Sequence, residues 1–304
     1  MSAGMTPAQR RDFDENGFII LDDFLSPSEL SQLLSAVDRV GAGFRADRGL
    51  PPDSNFTVQN ALAHDEAFLN LIDHPRMLPL VVDVMGWNIQ IRVTHLNYRA
   101  PYPEDLRLGE LGRGDGDDLK AGYDNVQWHA DLMDSFEATS MDGVLPFLEV
   151  KAGYYLTDLT GHNSGALAVV PGSHRRRVQE LRDLDFRVDP KDVFEVNVPA
   201  GSAILFRTSI WHCVTPNLSD HARTVLYVGY NHRWIRPVDY VEQDPELVAG
   251  SSPIRRQLLG TLATGNPSLG KNPWHPASRC YHTLDWNDVP LKEWADQHLA
   301  PKRS

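Results

Sequence analysis

Apolar residues recur at helical spacing in the N-terminal third of the chain. In Ser26-Pro27-Ser28-Glu29, a serine that can cap a helix precedes a proline at the first helical position, and Thr6-Pro7 repeats the pattern. We expect these helices to support a sheet. The predicted elements are helices over 7–16, 27–40, 65–73 and 75–85, and a short strand over 17–22.

The pattern changes to strand-like alternation after residue 88. Many short strands with glycine and proline turns between them are typical of a mainly β fold. We therefore predict a double-stranded β-helix (a jelly-roll, cupin-like core) flanked by α-helices. Its strands are predicted over 88–98, 126–133, 145–159, 166–170, 192–198, 203–206 and 223–230.

No repeat, low-complexity tract or long linker divides the chain, which predicts one domain over 1–304. Its core is expected at about 88–235, with N-terminal helical support over 1–87. A C-terminal cap is expected over 236–304, with an oligomer contact as the alternative. The irregular stretch 101–125, rich in Gly, Asp and Glu, is predicted to be a lid, or else disordered.

Net charge and cysteine content restrict the partners and the compartment that we expect for this protein. A formal net charge of -12 disfavours a nucleic-acid partner, because phosphate contacts need clustered Lys and Arg. Cys213 and Cys280 are too few for a disulfide framework, and neither a signal peptide nor a membrane-spanning apolar run is evident. These features predict a cytoplasmic protein without membrane partners, in which Cys213 serves packing.

Candidate metal chemistry begins at His129-Ala130-Asp131. On a strand, residues two apart face the same way, so the imidazole and the carboxylate are predicted to point to one place. His212, which follows a short apolar strand, would complete two histidines and one carboxylate, the set that leaves coordination positions open in non-haem Fe(II) oxygenases. His-x-Asp alone also occurs by chance.

Arg223 begins a strand predicted to lie next to the one that bears His212. A guanidinium entering an apolar interior needs an anion, and its planar fork suits a carboxylate. A dicarboxylate co-substrate would supply that anion. The alternative is a salt bridge to one of the 41 acidic residues of the chain.

Taken together, these motifs resemble the phytanoyl-CoA dioxygenase (PhyH) family of Fe(II)/2-oxoglutarate oxygenases. The resemblance covers most of residues 10–235, and the step from His212 to Arg223 is also that of the family. The residues that carry it are Phe13 to Ser26, His129-x-Asp131, Asn163-Ser164-Gly165, Pro171-Gly172-Ser173-His174, the run Ala200 to Phe206, His212 and Arg223.

The resemblance implies roles for particular residues. His129, Asp131 and His212 would bind iron, and Arg223 would anchor the distal carboxylate of 2-oxoglutarate. Family members often carry a hydroxyl residue two positions after the distal histidine, where this chain has Val214. Further co-substrate candidates are Thr215, one step later, Arg99, where many members have a lysine before proline, and Asn97.

The implied reaction uses O2 and 2-oxoglutarate to oxidise an unactivated C–H bond, releasing succinate and CO2. Hydroxylation or desaturation of a small metabolite or natural-product intermediate is expected, since Arg175-Arg176-Arg177 is the only basic run available to a coenzyme A thioester. Asp131 argues against halogenation, because halogenases of this type replace that carboxylate. Two alternatives remain: a cupin-like Zn enzyme using a bound water, and a non-catalytic metabolite-binding protein.

Overall fold

The computed structural model describes residues 4–104, 128–136, 142–261 and 290–299. Most of the predicted lid, and much of the predicted C-terminal cap with Cys280, lie outside the described residues. Among the described helices, none has both the length and the apolar character needed to span a membrane.

The described residues form nine α-helices and nine β-strands. The α-helices are α1 (Pro7–Asn16), α2 (Pro27–Arg48), α3 (Glu66–Leu69), α4 (Leu78–Met85), α5 (Met133–Phe136), α6 (Val178–Asp183), α7 (Pro245–Ala249), α8 (Pro253–Leu258) and α9 (Pro290–His298). The strands are β1 (Phe18–Leu21), β2 (Phe56–Gln59), β3 (Ile89–Arg99), β4 (Glu149–Tyr155), β5 (Leu167–Val169), β6 (Phe194–Glu195), β7 (Ala203–Arg207), β8 (His212–Val214) and β9 (Arg223–His232).

Two antiparallel sheets form the core. The larger has six strands in the order β1-β7-β4-β9-β3-β2, and the smaller has three in the order β6-β5-β8. Ile204 and Val225 of the larger sheet share one buried cluster with Leu167 and Val169 of the smaller sheet, so apolar side chains fill the space between them. The predicted double sheet flanked by helices is confirmed, although helices hold more residues than strands.

Successive side chains on each strand point to opposite faces of the larger sheet. Val150, Ala152 and Tyr154 of β4 belong to the apolar cluster that also holds residues of α2 and α4. The intervening positions, which include Lys151 and Tyr155, therefore point to the opposite face, toward the smaller sheet. We call this the inner face of the larger sheet.

Helix α2 continues eight residues beyond its predicted end at Val40. Gly41 resembles a stop signal in sequence, but here it lets the helix approach Phe56, because a Cβ at this position would lie 2.8 Å from the phenyl ring. The helix ends instead at Gly49, whose φ of 61° is left-handed.

The strand predicted over 126–133 is wrong in its described part. His129 forms an isolated antiparallel bridge with His212, and no longer ladder includes it. Leu132 has a φ of 65°, so the chain turns directly after Asp131 and enters α5 at Met133. A left-handed residue cannot continue a pleated strand, and alternation alone does not reveal where one occurs.

Candidate metal and co-substrate site

A double backbone hydrogen bond brings the two candidate histidines together. The His129 N–H donates to the His212 carbonyl at 3.0 Å, and the His212 N–H donates to the His129 carbonyl at 2.8 Å. Directly opposed residues share a face, and the two imidazole centroids lie 4.3 Å apart. Trp128 and Cys213, the chain neighbours of these histidines, pack in a separate apolar cluster behind the smaller sheet.

Asp131 completes the group, because its backbone N–H donates to the Thr208 carbonyl at 2.8 Å. Its Oδ1 lies 3.8 Å from His129 Nε2 and 4.0 Å from His212 Nε2. Two ligand atoms that each lie about 2.1 Å from one ion can be at most about 4.2 Å apart, so both separations are within reach of a shared metal, and binding on one face of the ion would draw these atoms closer together. Two imidazole nitrogens and one carboxylate oxygen also form the donor set of a non-haem Fe(II) site.

His212 is prepared for metal binding by its own loop. The Ile210 carbonyl lies 2.8 Å from Nδ1, which places the ring proton on Nδ1 and leaves the Nε2 lone pair free. Burial, reinforced by His129, lowers the pKa of His212 to about 4, so this imidazole is neutral at neutral pH. The His129 side chain is 46% exposed, which marks the open side of the site.

A lysine that the sequence analysis missed holds the candidate metal-binding carboxylate. Lys151, on the inner face of β4, donates from its ammonium to Asp131 Oδ2, which leaves Oδ1 facing the histidines. Burial alone would raise the pKa of Asp131. The Lys151 charge, with a smaller contribution from His212, outweighs burial and holds this pKa far below its usual range, so the carboxylate is ionised.

A second buried ion pair, between Arg92 and Glu149, lies next to Lys151. Arg92 Nη1 lies 3.1 Å from Oε2 of Glu149, whose side chain has no solvent exposure. Burial raises the pKa of Glu149 to about 7, although Lys151 and Arg92 oppose the shift. Gly229 makes room here, since a Cβ on it would lie 2.6 Å from Glu149 Oε1. The sequence signal for this network is two charged residues, Glu149 and Lys151, at alternating positions of a buried strand.

Arg223 lies in the larger sheet and not beside the strand that carries His212. Strand β9 pairs with β3 and β4, whereas β8 belongs to the smaller sheet, so the predicted adjacency of the two strands is wrong. The reason is that the turn between β8 and β9 carries the chain across the core. Within the described parts of the chain, no carboxylate lies within ion-pair distance of Arg223, although the residue is only 1% exposed.

Gly165 allows the Arg223 side chain to enter this space. Its φ is 81°, and a Cβ at this position would lie 3.1 Å from Arg223 Cγ. The glycine of Asn163-Ser164-Gly165 is therefore required both by its backbone conformation and by close packing.

The other co-substrate candidates separate into two groups. Arg99 is directly opposite Arg223 in the register of β3 and β9, and Asn97 is two residues away on the same face. Burial, followed by the nearby Arg223 charge, lowers the pKa of Arg99. In contrast, the Thr215 hydroxyl donates to the Ala166 carbonyl at 3.3 Å, within the smaller sheet. The structure thus brings together Arg99, Asn97 and Arg223, while the Thr215 hydroxyl is engaged elsewhere.

Comparison with known proteins agrees with this geometry. A model of the phytanoyl-CoA dioxygenase (PhyH) family matches residues 13–225. The chain belongs to this family. The resemblance inferred from sequence is confirmed, as is the predicted enzyme class, an iron- and 2-oxoglutarate-dependent dioxygenase.

Two curated relatives of this PhyH-family protein carry different names. It is 22% identical over 285 residues to a probable alpha-ketoglutarate-dependent hypophosphite dioxygenase of Stutzerimonas stutzeri. This match covers 84% of this chain and 90% of the relative. It is 26% identical over 254 residues to an ectoine dioxygenase of Nocardia farcinica, covering 72% and 75% of the two chains.

Solved structures show the same fold. HygX from Streptomyces hygroscopicus, with nickel and 2-oxoglutarate bound, superposes with a TM-score of 0.59 at 20% identity, covering 79% of this chain and 91% of HygX. EctD from S. alaskensis, with 2-oxoglutarate and 5-hydroxyectoine, gives a TM-score of 0.56 at 21% identity, covering 75% and 77%.

Proposed function

We propose that this PhyH-family protein uses Fe(II), 2-oxoglutarate and O2 to hydroxylate, or desaturate, an unactivated C–H bond of a small metabolite or natural-product intermediate. Succinate and CO2 are the co-products. The observation that carries the proposal is the convergence of one ligand atom each from His129, Asp131 and His212 within 4.8 Å of one another.

The proposed site contains residues that would bind the metal and a residue that orients one of them. Iron held by the triad would supply the coupling of O2 reduction to the oxidative decarboxylation of 2-oxoglutarate. His212 offers a neutral Nε2, and Asp131 offers Oδ1 while Lys151 holds Oδ2. Three protein ligands on one side leave the remaining coordination positions for co-substrate and O2.

Arg223 is the proposed anchor for the distal carboxylate of 2-oxoglutarate. Its burial without an acidic partner in the described residues supports this role, because a buried guanidinium needs an anion. Arg99 and Asn97 extend the same polar surface and are proposed to contact the co-substrate as well. Thr215 is the weakest of the four candidates, given its bond to the Ala166 carbonyl.

The two alternatives explain fewer features. A Zn enzyme with a bound water could use the same three ligands, but hydrolysis gives no reason for a buried arginine with no acidic partner among the described residues. A non-catalytic binding protein would not need three convergent metal ligands. Small-molecule chemistry also agrees with the relatives, whose names include ectoine and hypophosphite as substrates.

Anaerobic reconstitution tests the proposal. The protein purified without oxygen is loaded with Fe(II), and 2-oxoglutarate is added before a panel of small metabolites in air-saturated buffer. We expect succinate to form only with both Fe(II) and 2-oxoglutarate present, and to increase with a true substrate. Tight retention of Zn(II), together with no 2-oxoglutarate binding to the Fe(II)-loaded protein, would favour the hydrolase instead.

A further inference from the structure

Two buried polar groups at Arg223 and its neighbour Tyr155 lack a hydrogen-bond partner among the described residues. The Nε of Arg223 and the hydroxyl of Tyr155 have no hydrogen-bond partner in the described structure, and both residues are almost completely buried. Tyr227 is also buried, and its oxygen accepts from Arg223 Nη2 at 3.0 Å. Buried polar groups are nearly always paired, and the Arg223 Nε can only donate, so this cluster is short of an acceptor.

Strand register places these three groups on the inner face. Arg223 and Tyr227 are four residues apart on β9, hence on the same side, and Tyr155 of β4 is opposite Val225 between them. Gly153, opposite Tyr227, gives its ring space, because a Cβ there would lie 2.8 Å from Tyr227 Cε1. Burial, with the neighbouring Tyr227, raises the pKa of Tyr155 well above its ordinary value, so its hydroxyl remains a donor.

Positions 214 and 215, at the end of β8, offer no free hydroxyl to this cluster. Val214 is two residues after His212 on β8 and therefore faces the same side as His212, but its side chain is apolar. The hydroxyl of Thr215 is bound to the Ala166 carbonyl. The contact that a serine or threonine at position 214 would make must come from elsewhere.

We propose that the Tyr227 hydroxyl supplies this contact and donates to the distal carboxylate of 2-oxoglutarate beside the Arg223 guanidinium. This inference rests on the proposed function. A carboxylate offers about four lone-pair sites, enough for the arginine fork and a phenol together. The O–H···O⁻ bond is charge-assisted, so it is stronger than the same bond to a neutral acceptor. Tyr227 is thus a specificity-determining residue for a 2-oxo acid that ends in a second carboxylate.

Calorimetric titration of 2-oxoglutarate into the Ni(II)-loaded protein tests this without turnover. Tyr227→Phe is expected to weaken 2-oxoglutarate binding by about 10- to 100-fold, the range for losing a hydrogen bond to a charged group. Binding of 2-oxobutyrate, which lacks the distal carboxylate, should not change. A variant that merely loosens the fold would weaken both ligands.

Two further variants sharpen the test. Val214→Ser added to Tyr227→Phe places a hydroxyl at the position that the family often uses, and should recover most of the lost affinity. Tyr230→Phe is the matched control, because Tyr230 is on the same strand but its hydroxyl donates to the Ile72 carbonyl behind the sheet at 3.0 Å. Tyr230→Phe should leave 2-oxoglutarate affinity unchanged.

The outcomes distinguish the role of Tyr227 from the proposed function. Wild-type affinity for 2-oxoglutarate in Tyr227→Phe, or equal weakening of both 2-oxo acids, overturns the role of Tyr227. Failure of the wild-type protein to bind 2-oxoglutarate at all would instead contradict the proposed function.

Discussion

Lys151 donates to the Oδ2 of Asp131, and this ion pair orients the carboxylate that faces the two histidines. The two residues come from different parts of the fold, since Lys151 lies on a central strand of the larger sheet and Asp131 lies in the turn after the His129 bridge. The lysine therefore links the position of a candidate metal ligand to the core of the larger sheet.

Replacing Lys151 with methionine should destabilise the metal-free protein. The substitution leaves the largely buried Asp131 carboxylate without its cation, and breaking a buried ion pair costs about 3–5 kcal/mol. Thermal unfolding measures this effect. Lys292→Met is the matched control, because the Lys292–Asp296 pair is on an exposed helix surface and should cost less than about 1 kcal/mol.

A bound metal should compensate part of the Lys151→Met defect. Ni(II) places a cation beside Asp131, so it should raise the melting temperature of the variant more than that of the wild type. An equal increase in both proteins would indicate that Lys151 does not share the carboxylate with the metal.

Substituting His212 with alanine should abolish tight metal binding and succinate formation. The site has only three protein ligands, so losing one removes a large part of the binding energy. Metal content after dialysis provides the measurement, and His64→Ala, an exposed histidine on another part of the surface, serves as the control. Wild-type iron affinity in His212→Ala would contradict the assignment of the triad.

For Arg223, the expected defect is in co-substrate affinity. Arg223→Leu should weaken 2-oxoglutarate binding by about 30- to 1000-fold, which corresponds to losing about 2–4 kcal/mol of charge-assisted contact. Arg223→Lys should retain part of the affinity, because an ammonium keeps the charge but not the fork. Unchanged affinity in Arg223→Leu would show that another residue anchors the co-substrate.

Glu149 should make the protein less stable as the pH rises from about 4.5 to 7. Its pKa is raised from 4.5 to about 7 in the folded protein, so over this interval the unfolded chain ionises while the folded protein keeps its proton. This dependence is at most about 3 kcal/mol. Urea unfolding at pH 5 and pH 8 should show Glu149→Gln gaining stability relative to wild type at the higher pH. A pH-independent difference would refute the shift.

The product should gain one oxygen atom or lose two hydrogens, and should not carry chlorine. Asp131 is ionised and held by Lys151, so chloride would have to displace an anionic ligand that is already in position. Mass spectrometry of the product formed in chloride-containing buffer decides the outcome. A chlorinated main product would contradict hydroxylation and desaturation alike.

Sequence periodicity was sufficient for the elements that depend on local signals. Capping residues at Thr6 and Ser26 start α1 and α2 as predicted, and the sequence pattern identified every strand of the larger sheet except β2, which was not predicted. The spacing of His129 and Asp131, with His212 and Arg223 farther along, also named the residues of the proposed site. These signals lie within short stretches of chain, so they can be read without knowing what packs against them.

Only the tertiary structure decided which residues support that site. The inner face of the larger sheet brings Lys151 to Asp131 and Tyr227 to Arg223, and long-range strand pairing determines these contacts. Leu132 likewise ends the predicted strand through a left-handed turn that alternation cannot reveal. The sequence by itself determined the class of chemistry and named the candidate ligands. The register between distant strands decided how those ligands are held, because a charge in a buried strand acquires its role from the partner placed opposite it.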